Sequence, residues 1–254
     1  MKVLLILVDG CRPDAIVDIP EAQYILKKSA YTMNASSVIP PITLPAHMSV
    51  FHSVDPARHG TTTNIYAPQV RPVKGLCEVL ADNGKLCAFY YGWLELRDLV
   101  RPGSLDFSYF CSGRHIGRDK MNDNVTDAAI EHIKNADVDF SFLYLGYTDF
   151  AGHSYGWLSD GYMEAMKNSW VNIKRVVDSL PEEYAVIITS DHGGHDRVHG
   201  DVIPEDMTIP FIMLGNGIDI NKNIDGANLK DVAPTVAKLL GVKPDEEWEG
   251  NCLV

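Results

Sequence analysis

The chain has 254 residues, 46% of them apolar, enough to bury a sizeable core. Lys and Arg total 22 against 34 Asp and Glu, and the resulting charge of −12 excludes a surface built to bind the phosphate backbone of a nucleic acid. The five cysteines are scattered without a Cys-x-x-Cys pair, which excludes a disulfide framework and reads as free thiols in a reducing compartment.

Met1-Lys2 followed by Val3 to Val8 imitates the start of a secretory signal. The apolar run is shorter than the about 7–15 residues such a core needs, and Asp9, Arg12 and Asp14 follow it, so 3–8 reads as a buried first strand. Glu21 to Ala30 reads as a helix and Thr32 to Val38 as a weaker strand. Thr43 precedes Leu44-Pro45, a pairing that suits a helix cap and first turn, and the helix would run through Phe51 to about Val54. Val73 to Asn83 is helical, Leu86 to Tyr91 a strand, Asn124 to Ala136 a helix, and Phe140 to Tyr147 a strand. Asp160 to Leu180 is a long helix, followed by strands over Tyr184 to Thr189 and Ile209 to Leu214, and a last helix over Leu229 to Leu240. Strands alternating with helices predict an α/β fold whose mainly parallel sheet is covered on both faces. No segment approaches the length of a membrane span, so no membrane partner is expected and the location is read as cytoplasmic.

Three of these strands end in a carboxylate: Asp9, Asp149 and Asp191. The last opens Asp191-His192-Gly193-Gly194-His195-Asp196-Arg197-Val198-His199, where carboxylates and imidazoles form the mixed ligand set that suits zinc. Asp149 and His153 stand four apart, so one helical turn would aim both at a single ion. A lone Asp after a strand is ordinarily a turn residue; three of them, two with histidines alongside, point to an active site at the sheet's edge.

Asp9, Thr43 within Pro40-Pro41-Ile42-Thr43-Leu44-Pro45, Asp149-x-x-Gly152-His153 and Ser190-Asp191-His192-Gly193 together resemble the alkaline phosphatase superfamily, most closely its nucleotide pyrophosphatase and phosphodiesterase branch. That branch carries a threonine nucleophile followed by an aromatic or aliphatic residue and proline, and an asparagine 21 positions later; Asn64 stands 21 positions after Thr43. The resemblance implies a three-layer α/β/α fold, with residues 1–254 forming one catalytic domain without a large cap insertion. It implies two divalent metal ions. Asp149, His153 and a later histidine would hold one; Asp9, Asp191, His192 and the Thr43 oxygen would hold the other. Asp/His ligands favour Zn2+, with Mn2+ or iron as alternatives.

The later histidine is His199 or His195. His199-Gly200 resembles the superfamily's ligand turn before its last strand, which leaves His195 to support a ligand from behind or to face substrate. His199 follows Asp191 by eight residues, a spacing similar to the mutase and phosphoethanolamine-transferase branches and unlike the secreted phosphodiesterases. The implied activity is hydrolysis of a small phosphodiester through a phospho-Thr43 intermediate, with Asn64 on a phosphoryl oxygen. Phosphomonoester or phosphonate hydrolysis, phosphotransfer, and a non-catalytic metal-binding domain are the alternatives. A sulfatase would want Cys or Ser in a Cys/Ser-x-Pro-x-Arg setting, which Ile42-Thr43-Leu44-Pro45 lacks. His47, His52 and His59 read as packing or hydrogen-bonding residues, with His47 near enough to Thr43 to matter, Tyr155, Trp157, Tyr90, Tyr91 and Trp93 as candidates to stack on a leaving group, and Arg114, His115, Arg118 and Lys120 as a solvated basic loop.

Overall fold

The computed structural model describes residues 1–254. Its elements in chain order are β1 (Lys2–Val8), α1 (Pro20–Leu26), β2 (Ser29–Ser36), α2 (Thr43–His52), α3 (Pro56–His59), α4 (Leu76–Asp82), β3 (Cys87–Tyr91), β4 (Phe107–Phe110) and α5 (Gly113–Ile116). There follow α6 (Arg118–Asn135), β5 (Phe140–Leu145), α7 (Tyr147–Tyr155), α8 (Asp160–Ser179), β6 (Tyr184–Thr189), α9 (Pro204–Met207), β7 (Thr208–Gly215) and α10 (Val232–Leu239).

One seven-stranded sheet runs in the order β2-β7-β6-β1-β5-β3-β4. β6, β1, β5, β3 and β4 pair in parallel, whereas β7 is antiparallel to both β6 and β2. The apolar run once readable as a signal core is the central strand, buried on both sides. Alternation along it divides the interior. Val3, Leu5 and Leu7 pack with α2, α4 and α10; Leu4, Ile6 and Val8 pack with α1, α6 and α8. The result is the three-layer α/β/α arrangement with a mostly parallel sheet, antiparallel only around β7.

Several boundaries differ from the sequence expectation. α1 stops at Leu26, and Ser29 and Ala30 already belong to β2, because the edge strand claims residues that helical spacing assigned to the helix. β5 ends at Leu145, and Tyr147 opens α7, so the strand expected through Tyr147 is shorter and a helix takes over the ligand-bearing segment. α6 begins at Arg118 rather than Asn124, and the segment from Val73 becomes helical only after Gly75. The closing helix starts with a 3-10 turn over Leu229–Asp231. Three of the free cysteines are buried, Cys111 is half-buried and Cys252 is exposed. No helix is long and apolar enough to cross a membrane.

Candidate metal centre and active site

β6, β1 and β5 are adjacent and parallel, so their carboxyl ends deliver Asp191-His192, Asp9 and the β5–α7 segment to one place. Two ligand clusters form there: Asp9, Asp191 and His192, all buried, and Asp149, His153 and His199, more open to solvent. In the first, His192 Nε2 lies 3.3 Å from Asp9 Oδ1 and 3.4 Å from Asp191 Oδ2. In the second, Asp149 Oδ1 lies 3.3 Å from His153 Nε2 and 3.6 Å from His199 Nε2. The helix α7 supplies the turn that aims Asp149 and His153 the same way. The rings of His192 and His199 stack at 3.7 Å, so the two clusters are contiguous.

The histidines are held in one tautomer. Nδ1–H of His192 donates to the Gly193 carbonyl at 2.8 Å, that of His153 to Arg197 at 2.9 Å, and that of His199 to Pro41 at 3.0 Å. Each Nε2 is left with its lone pair facing the carboxylates. Asp9 Oδ1, Asp149 Oδ1 and Asp191 Oδ2 are buried without a hydrogen-bond partner. Three unpartnered carboxylate oxygens beside three imidazole lone pairs are costly in a buried site and form the donor set that a divalent cation satisfies.

The electrostatics agree. Burial, then the charges of Asp191 and Asp149, pushes the Asp9 carboxyl well above the usual range. Burial also raises Asp191, against the opposing influence of His47. Burial pushes Asp149 upward too, but the charge that His153 carries when protonated, 3.3 Å away, and the surrounding imidazoles hold it below the usual value. That contact lifts His153 to about 9, whereas burial lowers His199 to about 4 and lowers His192.

Thr43 opens α2 but does not cap it. Ile42 is the cap residue, and the Thr43 hydroxyl instead donates to His192 Nε2 at 3.2 Å. The capping expectation is thereby corrected: the side chain has turned from its own backbone to the metal cluster. Asn64 arrives from an exposed loop, its Oδ1 accepting from the Leu44 N–H at 2.9 Å, which fastens it to the helix that Thr43 opens and leaves its amide donors uncommitted. Asp9, Thr43, Asn64, Asp149, His153 and His199 line one cavity of about 300 Å³.

Tyr155 and His195, expected to face substrate, do not line it. Tyr155, the last residue of α7, is 55% exposed, and His195 turns away to donate from Nδ1 to the buried Asp206 at 2.8 Å. Asp206 Oδ2 also accepts from Gly200 N and Asp201 N, so this carboxylate shapes the loop that carries His199. Tyr90 is buried and bonded to His132, while Trp93 does reach the cavity. Of the basic cluster, Arg118 alone enters the lining.

Sequence reasoning missed Tyr144, whose hydroxyl donates to Asp9 Oδ2, and the positioning part of His47. His47 Nδ1–H donates to the Thr43 carbonyl at 2.8 Å and lies 3.6 Å from Asp191 Oδ2. The four-residue spacing of Thr43 and His47 in a predicted helix was the available signal. Tyr144 lies in a strand buried on both faces, where alternation carries no marker. Trp157, 7% exposed, donates from Nε1 to the Gly10 carbonyl at 3.0 Å, and its ring fills the space a β-carbon at Gly152 or Gly194 would need. It thus clamps the β1, α7 and β6 segments together.

Paired carboxylate–imidazole clusters at the strand ends of a mostly parallel α/β fold, with a hydroxyl at a helix start beside them, define a metal-dependent enzyme. Residues 113–244 match the model of the Metalloenzyme superfamily, and residues 3–86 that of type I phosphodiesterase / nucleotide pyrophosphatase. The chain belongs to the Metalloenzyme superfamily, within the alkaline phosphatase superfamily. A 2,3-bisphosphoglycerate-independent phosphoglycerate mutase from Listeria welshimeri is 34% identical over 139 residues, covering 51% of this chain and 26% of the mutase, so the match spans about a quarter of that relative's length. Murine ectonucleotide pyrophosphatase / phosphodiesterase 5, solved in complex with AMP, shares the fold with a TM-score of 0.79 at 15% identity, covering 99% of this chain and 97% of its own. A 2-O glycosaminoglycan sulfatase does so with the same TM-score of 0.79 at 14% identity, over 99% and 73% of the two chains.

Proposed function

We propose that this protein is a two-metal phosphoester hydrolase that attacks through Thr43 and favours a phosphodiester. The observation that carries the reading is the Thr43 hydroxyl at the start of α2, 3.2 Å from His192 Nε2, between the two ligand clusters. Asp9, Asp191 and His192 would hold one divalent ion together with the Thr43 oxygen, and Asp149, His153 and His199 the other. Zinc is the ion the donor set favours, with manganese or iron as alternatives. Bound there, the ions supply charge that lowers the pKa of the nucleophilic hydroxyl and neutralises the phosphoryl oxygens.

The residues do the rest. His47 holds the Thr43 backbone, and Tyr144 holds Asp9, so the nucleophile and its neighbours are fixed before substrate arrives. The Thr43 hydroxyl gives up its proton to solvent as its oxygen forms a bond to phosphorus, and the bond from phosphorus to the ester oxygen breaks, its electron pair leaving with that oxygen. Asn64 lines the cavity with its amide donors uncommitted, and these would bond a non-bridging oxygen, where negative charge accumulates. A water oxygen then displaces Thr43 from phosphorus, and one proton of that water passes to the threonine oxygen. Residues 1–254 act as one catalytic domain on a small substrate, and neither His195 nor Tyr155 is assigned to substrate.

Thr43→Ala is expected to lower hydrolysis of bis(4-nitrophenyl) phosphate by at least about a thousandfold while leaving the metal content at two ions, since removal of a covalent nucleophile costs factors of this order. Retained hydrolysis in that variant overturns the reading. The 34% identity to a mutase favours phosphotransfer as the second reading. Product analysis with an added alcohol acceptor separates them: free phosphomonoester marks the hydrolase, phosphorylated acceptor the transferase.

A further inference from the structure

The wall of the cavity away from the carboxylates is built around one guanidinium. Arg118 opens α6 directly after Gly117, and it lines the cavity with Trp93, Met121 and Phe150. Its guanidinium carbon lies 4.9 Å from the centre of the Phe150 ring, and its Nη1 lies 3.9 Å from the Met121 sulfur. Arg12, Arg58 and Arg175 are each bonded to a carboxylate, but Arg118 pairs with none.

Two glycines hold this wall in place. A β-carbon at Gly113 would lie 2.6 Å from Cδ of Arg118, and one at Gly92 would overlap the Met121 sulfur. Arg118 is therefore held at Cδ by the Gly113 turn and at its guanidinium by Phe150 and Met121, which leaves it less rotamer freedom to lose on binding. Its position opposes local stability. A cation in the first turn of an 18-residue helix meets the positive end of the helix dipole, and no acid offsets it except Asp119 in the same turn. A packed, unpaired guanidinium at a helix start, inside a cavity of an otherwise acidic protein, is arranged to meet an anion.

We propose that Arg118 determines specificity by binding a second anionic group, a carboxylate or a further phosphate, on the ester arm that lies against Phe150. The inference rests on the phosphoester reading, whose phosphoryl group occupies the metal end of the same cavity. Phenyl, 4-carboxyphenyl and 4-(phosphonomethyl)phenyl esters of 4-nitrophenyl phosphate release the same nitrophenolate, so they differ only in the second charge. The zinc-loaded protein is expected to prefer one of the two anionic diesters over the phenyl diester by about tenfold in kcat/KM, the scale of one charge-assisted contact at a part-exposed site. Which of the two is preferred distinguishes carboxylate from phosphate.

In Arg118→Met the preference should fall to near one, through KM rather than kcat, and Arg118→Lys should restore part of it. Absence of the preference in the natural protein, or its survival in Arg118→Met, overturns the proposal. If no diester is turned over, the hydrolase reading has failed and binding decides. Calorimetry of phenyl phosphate, 4-carboxyphenyl phosphate and 4-(phosphonomethyl)phenyl phosphate with zinc-loaded Thr43→Ala should show tighter binding of one of the two anionic esters than of phenyl phosphate, lost when Arg118→Met is added. Equal affinities there overturn the role of Arg118.

Discussion

Asp191 illustrates how a residue can be placed for binding at the expense of folding. Its Oδ1 accepts from the backbone N–H groups of Gly10 and His192 at 3.1 and 3.0 Å, so half of the carboxylate is fully used. Oδ2 has no partner, lies 3.4 Å from His192 Nε2, and is buried in a group whose pKa burial has raised. An asparagine keeps the Oδ1 bonds and presents an amide donor to the His192 lone pair, so in the metal-free protein Asp191→Asn should relieve the cost of a buried carboxyl whose Oδ2 is unmet. Metal-free Asp191→Asn is expected to unfold about 1–3 kcal/mol harder than the metal-free natural protein, the usual scale for a buried group relieved of an unmet bond. The same variant should bind one zinc fewer and lose at least about a hundredfold in turnover, as a metal-ligand loss does. Urea titration and metal analysis on one preparation check both signs. A fall in metal-free stability would mean that Asp191 is already compensated without an ion.

Helix α2 carries two needs at once. Its first turn presents Thr43, and its last turn is anchored through histidines that must stay neutral. His52 donates from Nδ1 to the Met48 carbonyl at 3.0 Å. His59, just beyond in α3, accepts at Nδ1 from the Thr61 N–H at 3.1 Å and meets Ser49 Oγ through Nε2 at 3.2 Å. A second proton on His59 would face that N–H, and burial lowers both histidines to about 4. Their folded pKa values lie below the unfolded one, so the stability they contribute is full above about 6.5 and is lost as the pH falls towards 4. Each should cost about 1.4 kcal/mol per pH unit inside that window. The urea midpoint should therefore drop steeply between pH 6.5 and 4, and His59→Asn, whose side-chain oxygen can replace Nδ1, should flatten the slope by about one proton. An unchanged slope would refute the neutral assignment. The sequence marks His52 and His59 as packing or hydrogen-bonding residues, but not which groups their rings meet or that both must stay neutral. Elements with an uninterrupted apolar run or a long stripe were legible, β1, β6 and α8 among them. α7 was not, because Asp149-Phe150-Ala151-Gly152-His153 has no apolar period and its helix is held by Trp157 instead. β4 is a four-residue edge strand with little to mark it. The candidate ligands could be read because Asp9, Asp149 and Asp191 stand at or just past strand ends and the histidines follow within a few residues; Tyr144, Trp157 and the entry of Arg118 into the cavity depend on packing between segments far apart in the chain.

At the scale of the molecule, the six candidate ligands come from three segments, at Asp9, at Asp149 to His153, and at Asp191 to His199. An ion pair of sites that spans them binds the folded chain and not the unfolded one, so metal binding is linked to the stability of the whole sheet. Trp157 already clamps these segments, which implies that the metal-free fold survives but is weakened. Zinc at about a hundred times its dissociation constant should add about 2.7 kcal/mol. For a chain of this size that raises Tm by about 5–10 °C. The effect should depend on pH in a fixed direction. Asp9 and Asp191, with raised pKa values, hold protons in the metal-free fold that the unfolded chain has released, so metal-free stability declines as the pH rises above the usual carboxylate range. His153, lifted to about 9 by Asp149, contributes stability below its unfolded value and loses it as the pH climbs towards 9. Bound ions displace all of these protons and cancel the decline. The zinc-induced rise in Tm should accordingly be larger at pH 8 than at pH 6, and scanning calorimetry with and without a chelator at the two values measures it. A rise that shrinks with pH would mean that protons and metal do not compete at these residues, and the ligand assignment would have to be abandoned.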